Sequence, residues 1–505
     1  MDILNTKYTL NMILGFLLDK SFILKAICAY GLYKIIRILI HDPLKGIPGP
    51  WWSKFSFTPY RFTLLRGYAE SYSFELHKKY GPVVRVGPNH ISLDKGKDMK
   101  KILASYKYPK TDIYKSIGFG IPTIFSTIDT DLSKSRRHYF GPAFLQSGLD
   151  TVEDLILQAG AVSLINKIGT EIDSGNGKYQ ANYFKLLQNT TLDIIGILAF
   201  GKSFNAVSKG GHPIIEWVKN SMFETALKQG MPLFRIFPFL IGKKYQDSRK
   251  LMEFSIESAR NRLDQIKNKK RDTNSVDLLQ TIVDAKNPDG SDLTEEQMAA
   301  EEVVILIAGM DTTSVTLTWL LHLYTLYPDV YSKVENEILE NFPEKSNLIT
   351  YKQVKEKLKY FVATIHETMR LTPAVNGILP RFSSSDGIQL STHYIPKDVR
   401  MLLFLEGAGY DKDIWDHPNK FIPERFLGDK IHMSREIIPL SYGVRVCPGK
   451  KNYHFNLPKD SQYGPHILDP ERDNEPKLLK SAAFLTRTPI DSDSDCRIIF
   501  TRRNN

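Results

Sequence analysis

From Thr294 to Tyr327 the chain reads as one helix. Thr294-Glu295-Glu296-Gln297 is a capping box at its start, and Pro328 stops it. Some 32 residues at 1.5 Å each make a rod of roughly 48 Å. Val303 to Ala308 is apolar on every side, so the rod has to run through a core rather than along a surface. A fold built around such a helix is large and mostly helical. With 505 residues, 42% of them hydrophobic, the chain has ample material for that core. Length alone allows roughly two to four domains, but no internal repeat or long low-complexity segment divides the chain.

In the middle of this helix stands Ala308-Gly309-Met310-Asp311-Thr312-Thr313. A carboxylate and two hydroxyls in so apolar a setting need a reason. Threonine bonds the carbonyl of the preceding turn and opens or bends the helix there. Ala308 and Gly309 remove bulk and leave room for a small ligand and a substrate. The plainer alternative is a satisfied buried polar pair that only kinks the helix.

A second helix is written in Lys352 to Leu371, whose apolar stripe is Val354, Leu358, Phe361, Ile365 and Met369. Glu367 and Arg370 stand three apart and project from one side of it. Such pairs are common in helices. This one gains weight from Phe421-Ile422-Pro423-Glu424-Arg425-Phe426 downstream.

The third feature is Pro439-Leu440-Ser441-Tyr442-Gly443-Val444-Arg445-Val446-Cys447-Pro448-Gly449-Lys450. A lone cysteine is usually a small buried hydrophobe. Here one thiol lies between two glycines, with an arginine two residues before it. A thiolate that ligates iron must be held still and dry, yet be approached closely by a flat macrocycle. Gly443 and Gly449 offer bare backbone and access to positive φ, so the loop can fold tightly. Backbone N–H groups aimed at the sulfur would spread its charge. Arg445 suits a planar carboxylate.

Taken together, G-x-R-x-C-x-G, A-G-x-D-T-T, E-x-x-R and P-E-R-F resemble the cytochrome P450 superfamily, the haem-thiolate monooxygenases, from about Pro48 to Gly449. The resemblance implies a mostly α fold with a small β-rich lobe, occupying 47–505 after an anchor and linker at 1–46. It implies iron protoporphyrin IX with Cys447 as axial ligand, and Arg445, Arg137 and Arg381 on its propionates. It assigns Asp311 and Thr312 to proton delivery, and Glu367, Arg370 and Arg425 to a buried charge network that holds the cysteine loop. Substrate-contacting loops are expected over 110–128, with Val375 to Ile378 lining the pocket. Electrons would come from an NADPH-dependent flavoprotein reductase, docked partly on Lys450 and Lys451. The overall run looks most like fungal secondary-metabolism hydroxylases, with a terpenoid, polyketide or alkaloid as the apolar substrate. An isomerase or peroxygenase of the same haem-thiolate type would not need the Asp311-Thr312 pair.

The net charge of +11 is scattered, which fits an acidic redox partner or anionic lipid and gives no nucleic-acid footprint. The longest basic cluster, Lys267 to Arg271, reads as a solvated helix end, and a solvated face is also the plain reading of Ser135-Arg136-Arg137-His138. Cys28, Cys447 and Cys496 are too few for a disulfide framework and fit a reducing compartment. Residues 9 to 33 are apolar but interrupted by Asp19, Lys20 and Lys25. They read as a membrane anchor that spans the bilayer or lies in its interface, with the body on the cytosolic side of the endoplasmic reticulum. Ile47-Pro48-Gly49-Pro50 ends that segment stiffly. Val83, Val84 and Val86, then Ile91 and Leu93, flank Gly87-Pro88-Asn89 as a β-hairpin. Met231 to Ile241, apolar with two prolines, suits a lid or a membrane contact.

Two departures from the family pattern stand out. Leu440 replaces the usual phenylalanine of the cysteine loop. After Gly449 the family continues into a long apolar helix, whereas this chain runs into polar Lys450-Lys451-Asn452-Tyr453 and is stopped at Pro458. About one helix, on the order of 15–20 residues, is expected to be missing near Lys451 to Tyr453, through a misread exon boundary or a natural deletion. That leaves a haem-deficient, non-catalytic remnant as the alternative.

Overall fold

The computed structural model describes residues 20–231, 233–268, 278–343, 348–375, 378–451, 463–466, 479, 481–483 and 486–502. In chain order, the helices that matter for the site are α1 (Lys20–Ile40), α2 (Thr130–Phe140), α3 (Tyr183–Phe200), α4 (Pro213–Gly230), α5 (Lys243–Lys267), α6 (Glu295–Leu326) and α7 (Lys359–Leu371). Besides a two-residue pair, Ile388–Gln389 and Tyr394–Ile395, the strands are β1 (Val83–Gly87), β2 (His90–Leu93), β3 (Lys178–Asn182), β4 (Ile378–Phe382), β5 (Arg400–Phe404), β6 (Tyr463–His466), β7 (Ser481–Ala483), β8 (Arg487–Pro489) and β9 (Arg497–Arg502).

Helix α6 forms as its capping box requires: Gln297 N donates to Thr294 Oγ1 at 3.3 Å, and Thr294 N donates to Gln297 Oε1 at 3.0 Å. Its 32 residues pack between α3 and α5. One expectation needs correcting. The Val303–Ala308 stretch is not enclosed all round: Val303, Ile305 and Leu306 are buried, but Ala308 is exposed to an internal cavity. An apolar helix can bound a void as well as a packed neighbour, and periodicity does not separate the two.

The β lobe is a four-stranded sheet in the order β1-β2-β5-β4. The expected hairpin pairs Val83 with Leu93 and Arg85 with Ile91. Strand β2 then runs parallel to β5, which pairs antiparallel with β4. The proline linker is pinned to this sheet. Arg85 N donates to the Pro48 carbonyl at 2.7 Å, and the buried Arg85 side chain reaches Asp42 Oδ2 at 2.5 Å. A Cβ on Gly49 would stand 2.3 Å from the Arg85 carbonyl oxygen, so only glycine lets the linker lie so close. A second sheet, β3-β9-β6, joins the end of the chain to its middle.

Helix α1 presents Phe22, Leu24, Tyr30, Leu32 and Ile40 as exposed apolar side chains. Among the described residues, α6 is the helix long and apolar enough to cross a bilayer, and most of it is buried in the body. Residues 1–19 of the expected anchor lie outside the described residues, as do Lys269 to Arg271 of the basic cluster and everything expected at Asn452 to Pro458.

Candidate active site

A cavity of about 800 Å³ with a mostly apolar lining lies against α6. Ala308, Gly309, Thr312 and Thr313 of α6 line it, and so do Leu440, Ser441, Cys447 and Gly449 of the cysteine loop. The sequence places these groups some 135 positions apart; the fold brings them to one space. Thr312 Oγ1 donates to the Ala308 carbonyl at 2.6 Å, the back-bond expected of it. Gly309 does something other than make room. A Cβ there would stand 2.6 Å from Ile195 Cδ1, so its bare Cα is taken up by close packing of α3 on α6.

The cysteine loop is built on two left-handed residues. Gly443 has a φ of 65°, and a Cβ there would sit 2.5 Å from the Cα of Ala104. Ser441 takes the second such position, with φ 63°. Gly449, expected to need positive φ, does not have it; an added Cβ would meet Cys447 Sγ at an ordinary 3.8 Å. Its amide acts on the sulfur instead. Burial pushes the Cys447 thiol up, while the hydrogen bond from Gly449 N–H and the charge of Arg137 pull it down. Cys447 N donates to the Leu440 carbonyl at 2.8 Å, and the Leu440 side chain packs with the cluster around Met369 and Phe421. The leucine therefore keeps this position apolar without an aromatic ring.

Four cations converge at the cavity edge. Arg445 and Arg381 are buried, and Arg137 is half-buried, so the solvated-face reading of its helix does not hold. Arg137 Nη1 donates to the Val446 carbonyl at 2.9 Å, and Arg381 Nη1 donates to Tyr114 Oη at 2.9 Å. The Arg445 guanidinium lies 5.0 Å from the Tyr106 ring centroid. The fourth is Lys110, which sequence reasoning missed. Its Nζ donates to the Phe125 carbonyl, and its backbone bridges to Arg381 at the edge of β4. Burial, then the charges of Arg381, Arg445 and Arg137, hold its amine well below the usual range. Arg137 Nε and Arg445 Nη2 are buried without a hydrogen-bond partner among the described residues. So much positive charge with unmatched donors calls for an anion.

The charge network behind the loop assembles as a fork on α7. Arg370 Nε and Nη2 donate to Glu367 Oε2 and Oε1 at 2.7 and 2.8 Å. Arg425 Nε reaches Glu367 Oε1 at 3.3 Å, and Ile422 N reaches it at 2.9 Å. Arg370 also donates to the carbonyls of Gly409, Pro418 and Lys420. This stitches α7 to the segment that leads into the cysteine loop.

Asp311 is buried beside α3 and the C-terminal segment, where Thr486 Oγ1 donates to its Oδ2 at 2.7 Å. Two further partners escaped the sequence. Glu301 on α6 accepts from Ile124 N at 3.0 Å and from Arg136 Nε at 3.0 Å, which pins the 110–128 loop. Burial pushes Glu301 up to about 7, against the pull of Ile124 N–H and Arg136. Arg136 had read as part of an exposed basic run; it is fully buried. Of the expected pocket segment, Val375 and Ile378 line the cavity, with Ile113, Ile117 and Ile124 from the loop; residues 376 and 377 lie outside the described residues.

Residues 47–451 match the family model described as Cytochrome P450. The chain is 30% identical to Cytochrome P450 monooxygenase helB1 of Aspergillus fumigatus over 498 residues, covering 93% of this chain and 84% of the relative. It is also 30% identical to helB2 of that organism over 504 residues, 94% of this chain and 98% of the relative. Cytochrome P450 monooxygenase FUS8 of Gibberella moniliformis is 28% identical over 452 residues, 86% of this chain and 84% of the relative. Among solved structures, the haem domain of cytochrome P450DA superposes with a TM-score of 0.74 at 18% identity, covering 91% of this chain and 98% of that one.

Proposed function

The chain belongs to the cytochrome P450 family, a monooxygenase family of thiolate-ligated haem, and we propose that it oxidises an apolar small molecule of fungal secondary metabolism in the cavity described above. The residues present fit the cofactor. Cys447 and the small Ala308 of α6 both line the cavity. Lys110, Arg137, Arg381 and Arg445 line it too, and among the described residues Arg137 and Arg445 keep unmatched donors for a propionate. That convergence of one thiol and four cations in one apolar space carries the reading.

Cys447 would hold a haem there through its thiolate, and the haem would supply oxygen activation. The chain's own part is positional. The four cations would hold its carboxylates. The apolar lining desolvates the substrate and keeps bulk water out. Asp311 holds and releases a proton, and Thr312 holds a water for its transfer. Electrons come from an NADPH-dependent flavoprotein reductase, met by the exposed Lys450 and its neighbours.

Leu233, Ile236, Phe239 and Leu240 are exposed in short turns between α4 and α5. These side chains and those exposed on α1 are the apolar groups proposed to meet the cytosolic face of the endoplasmic reticulum. Serine at these four positions should lower co-flotation with liposomes; unchanged flotation would remove the segment from the membrane contact.

The test of the main reading is the absorption spectrum of the reduced protein under carbon monoxide. A thiolate-type Soret band, lost in Cys447→Ser, is expected; an identical spectrum from the variant defeats the assignment.

A second reading, a haem-deficient remnant, rests on the sequence alone: after Gly449 the chain runs into polar Lys450-Lys451-Asn452-Tyr453 and Pro458 where the family continues into an apolar helix. Sequencing the transcript across Lys451 decides it: extra codons there mean a misread gene, and none mean a natural deletion.

A further inference from the structure

We propose that Thr486 is the positioning residue of Asp311, holding its carboxyl through a hydrogen bond from the far end of the chain. Thr486 Oγ1 donates to Asp311 Oδ2 at 2.7 Å, both side chains are buried, and 175 positions separate them. The contact is braced. Arg487 N donates to the Ala374 carbonyl at 2.8 Å. The Arg487 side chain pairs with Glu406 at 2.5 Å and Glu70 at 3.2 Å, and its guanidinium carbon lies 4.8 Å from the Trp319 ring centroid. Trp319 Nε1, on α6 itself, donates to the Arg487 carbonyl at 3.2 Å. The segment is thus fixed to α6 two turns beyond the acid it holds. Thr486 also borders the cavity.

Burial raises the Asp311 carboxyl above its ordinary range; Thr486 and then Gln188 of α3 act against that. Ionisable groups on the flanking elements are engaged elsewhere. Asp193 of α3 accepts from Ser203 and from the amides of Ala206 and Val207, and Arg487 is held by its two glutamates. A hydroxyl that donates to the carboxylate favours its charged form. Thr486 therefore sets both where the acid points and how readily it gives up a proton.

The inference rests on Asp311 as proton carrier, but its test does not need turnover. The carboxyl C=O stretch of the ferric holoprotein is followed by infrared difference spectroscopy against pH, with Asp311→Asn assigning the band. Thr486→Val should raise the titration midpoint by about one unit, a tenfold gain in proton affinity, and Thr486→Ser should restore it. A midpoint shared by wild type and Thr486→Val overturns the proposal. If the valine variant does not fold, Thr486→Cys, a weak donor, must move the midpoint the same way, and an unmoved one overturns it too. Full turnover in Asp311→Asn would instead sink the proton-carrier reading while leaving the measured coupling intact.

Discussion

Lys110 has three arginines for neighbours, and among the described residues none of its hydrogen bonds goes to a carboxylate. Burial and the arginine charges disfavour a charged amine there, and the propionates of the proposed haem site would favour it. Lys110→Met should therefore act with opposite signs on the two forms. The apoprotein should melt higher, and the holoprotein should release haem more readily, by about 1.5–3 kcal/mol for one charged hydrogen bond. Calorimetry of the apoprotein and transfer of haem to an acceptor globin measure the two arms; a loss in both would mean that Lys110 is simply part of the core. At this scale the cysteine loop was legible because its residues are neighbours in sequence. Lys110, Glu301 and Thr486 were not, because each is defined by a partner 175 or more positions away or by a burial that its own segment does not announce.

Between elements, Gly309 sets how closely α3 packs on α6, through Ile195. Gly309→Ala should destabilise the protein by about 1–3 kcal/mol through overpacking. Ile195→Ala should destabilise it alone yet relieve the first change, and denaturation of the four proteins of the cycle reads the coupling. Strictly additive losses would show that α3 yields without strain. On α7, Glu367→Ala strands a buried Arg370 and should cost about 3–5 kcal/mol, with haem lost from the purified protein; normal haem content would uncouple this network from the cysteine loop. Helix lengths and caps were readable here, since local patterning carries them. That Gly309 serves packing was not, because a glycine looks the same whether it makes room for a ligand or for a neighbouring helix.

Across the whole molecule, buried groups of opposite type shape stability against pH. Burial pushes Glu406 up to about 8 and Asp94 up to about 7. Their contribution is complete below the ordinary carboxylate range and is lost as pH rises through those values. Burial lowers His77 to about 4 and His90 to about 3. Theirs is complete above pH 6.5 and is lost as pH falls through those values. Stability should peak at mildly acidic pH, and Glu406→Gln should flatten the alkaline limb by at most about 1.4 kcal/mol per pH unit; urea titrations over a pH series would show an unchanged limb if the carboxyl is already ionised. The helical body and β lobe were foreseeable from motifs, whereas the β3-β9-β6 sheet was not, since pairing across the chain leaves no local pattern. That sheet has a consequence for synthesis. Tyr179 waits for Phe500, so a ribosome making this protein must deliver about 320 further codons before β3 finds its neighbour. A premature stop ahead of Arg497 leaves a bare strand edge on a nascent polypeptide, the kind of surface that chaperones and degradation machinery recognise.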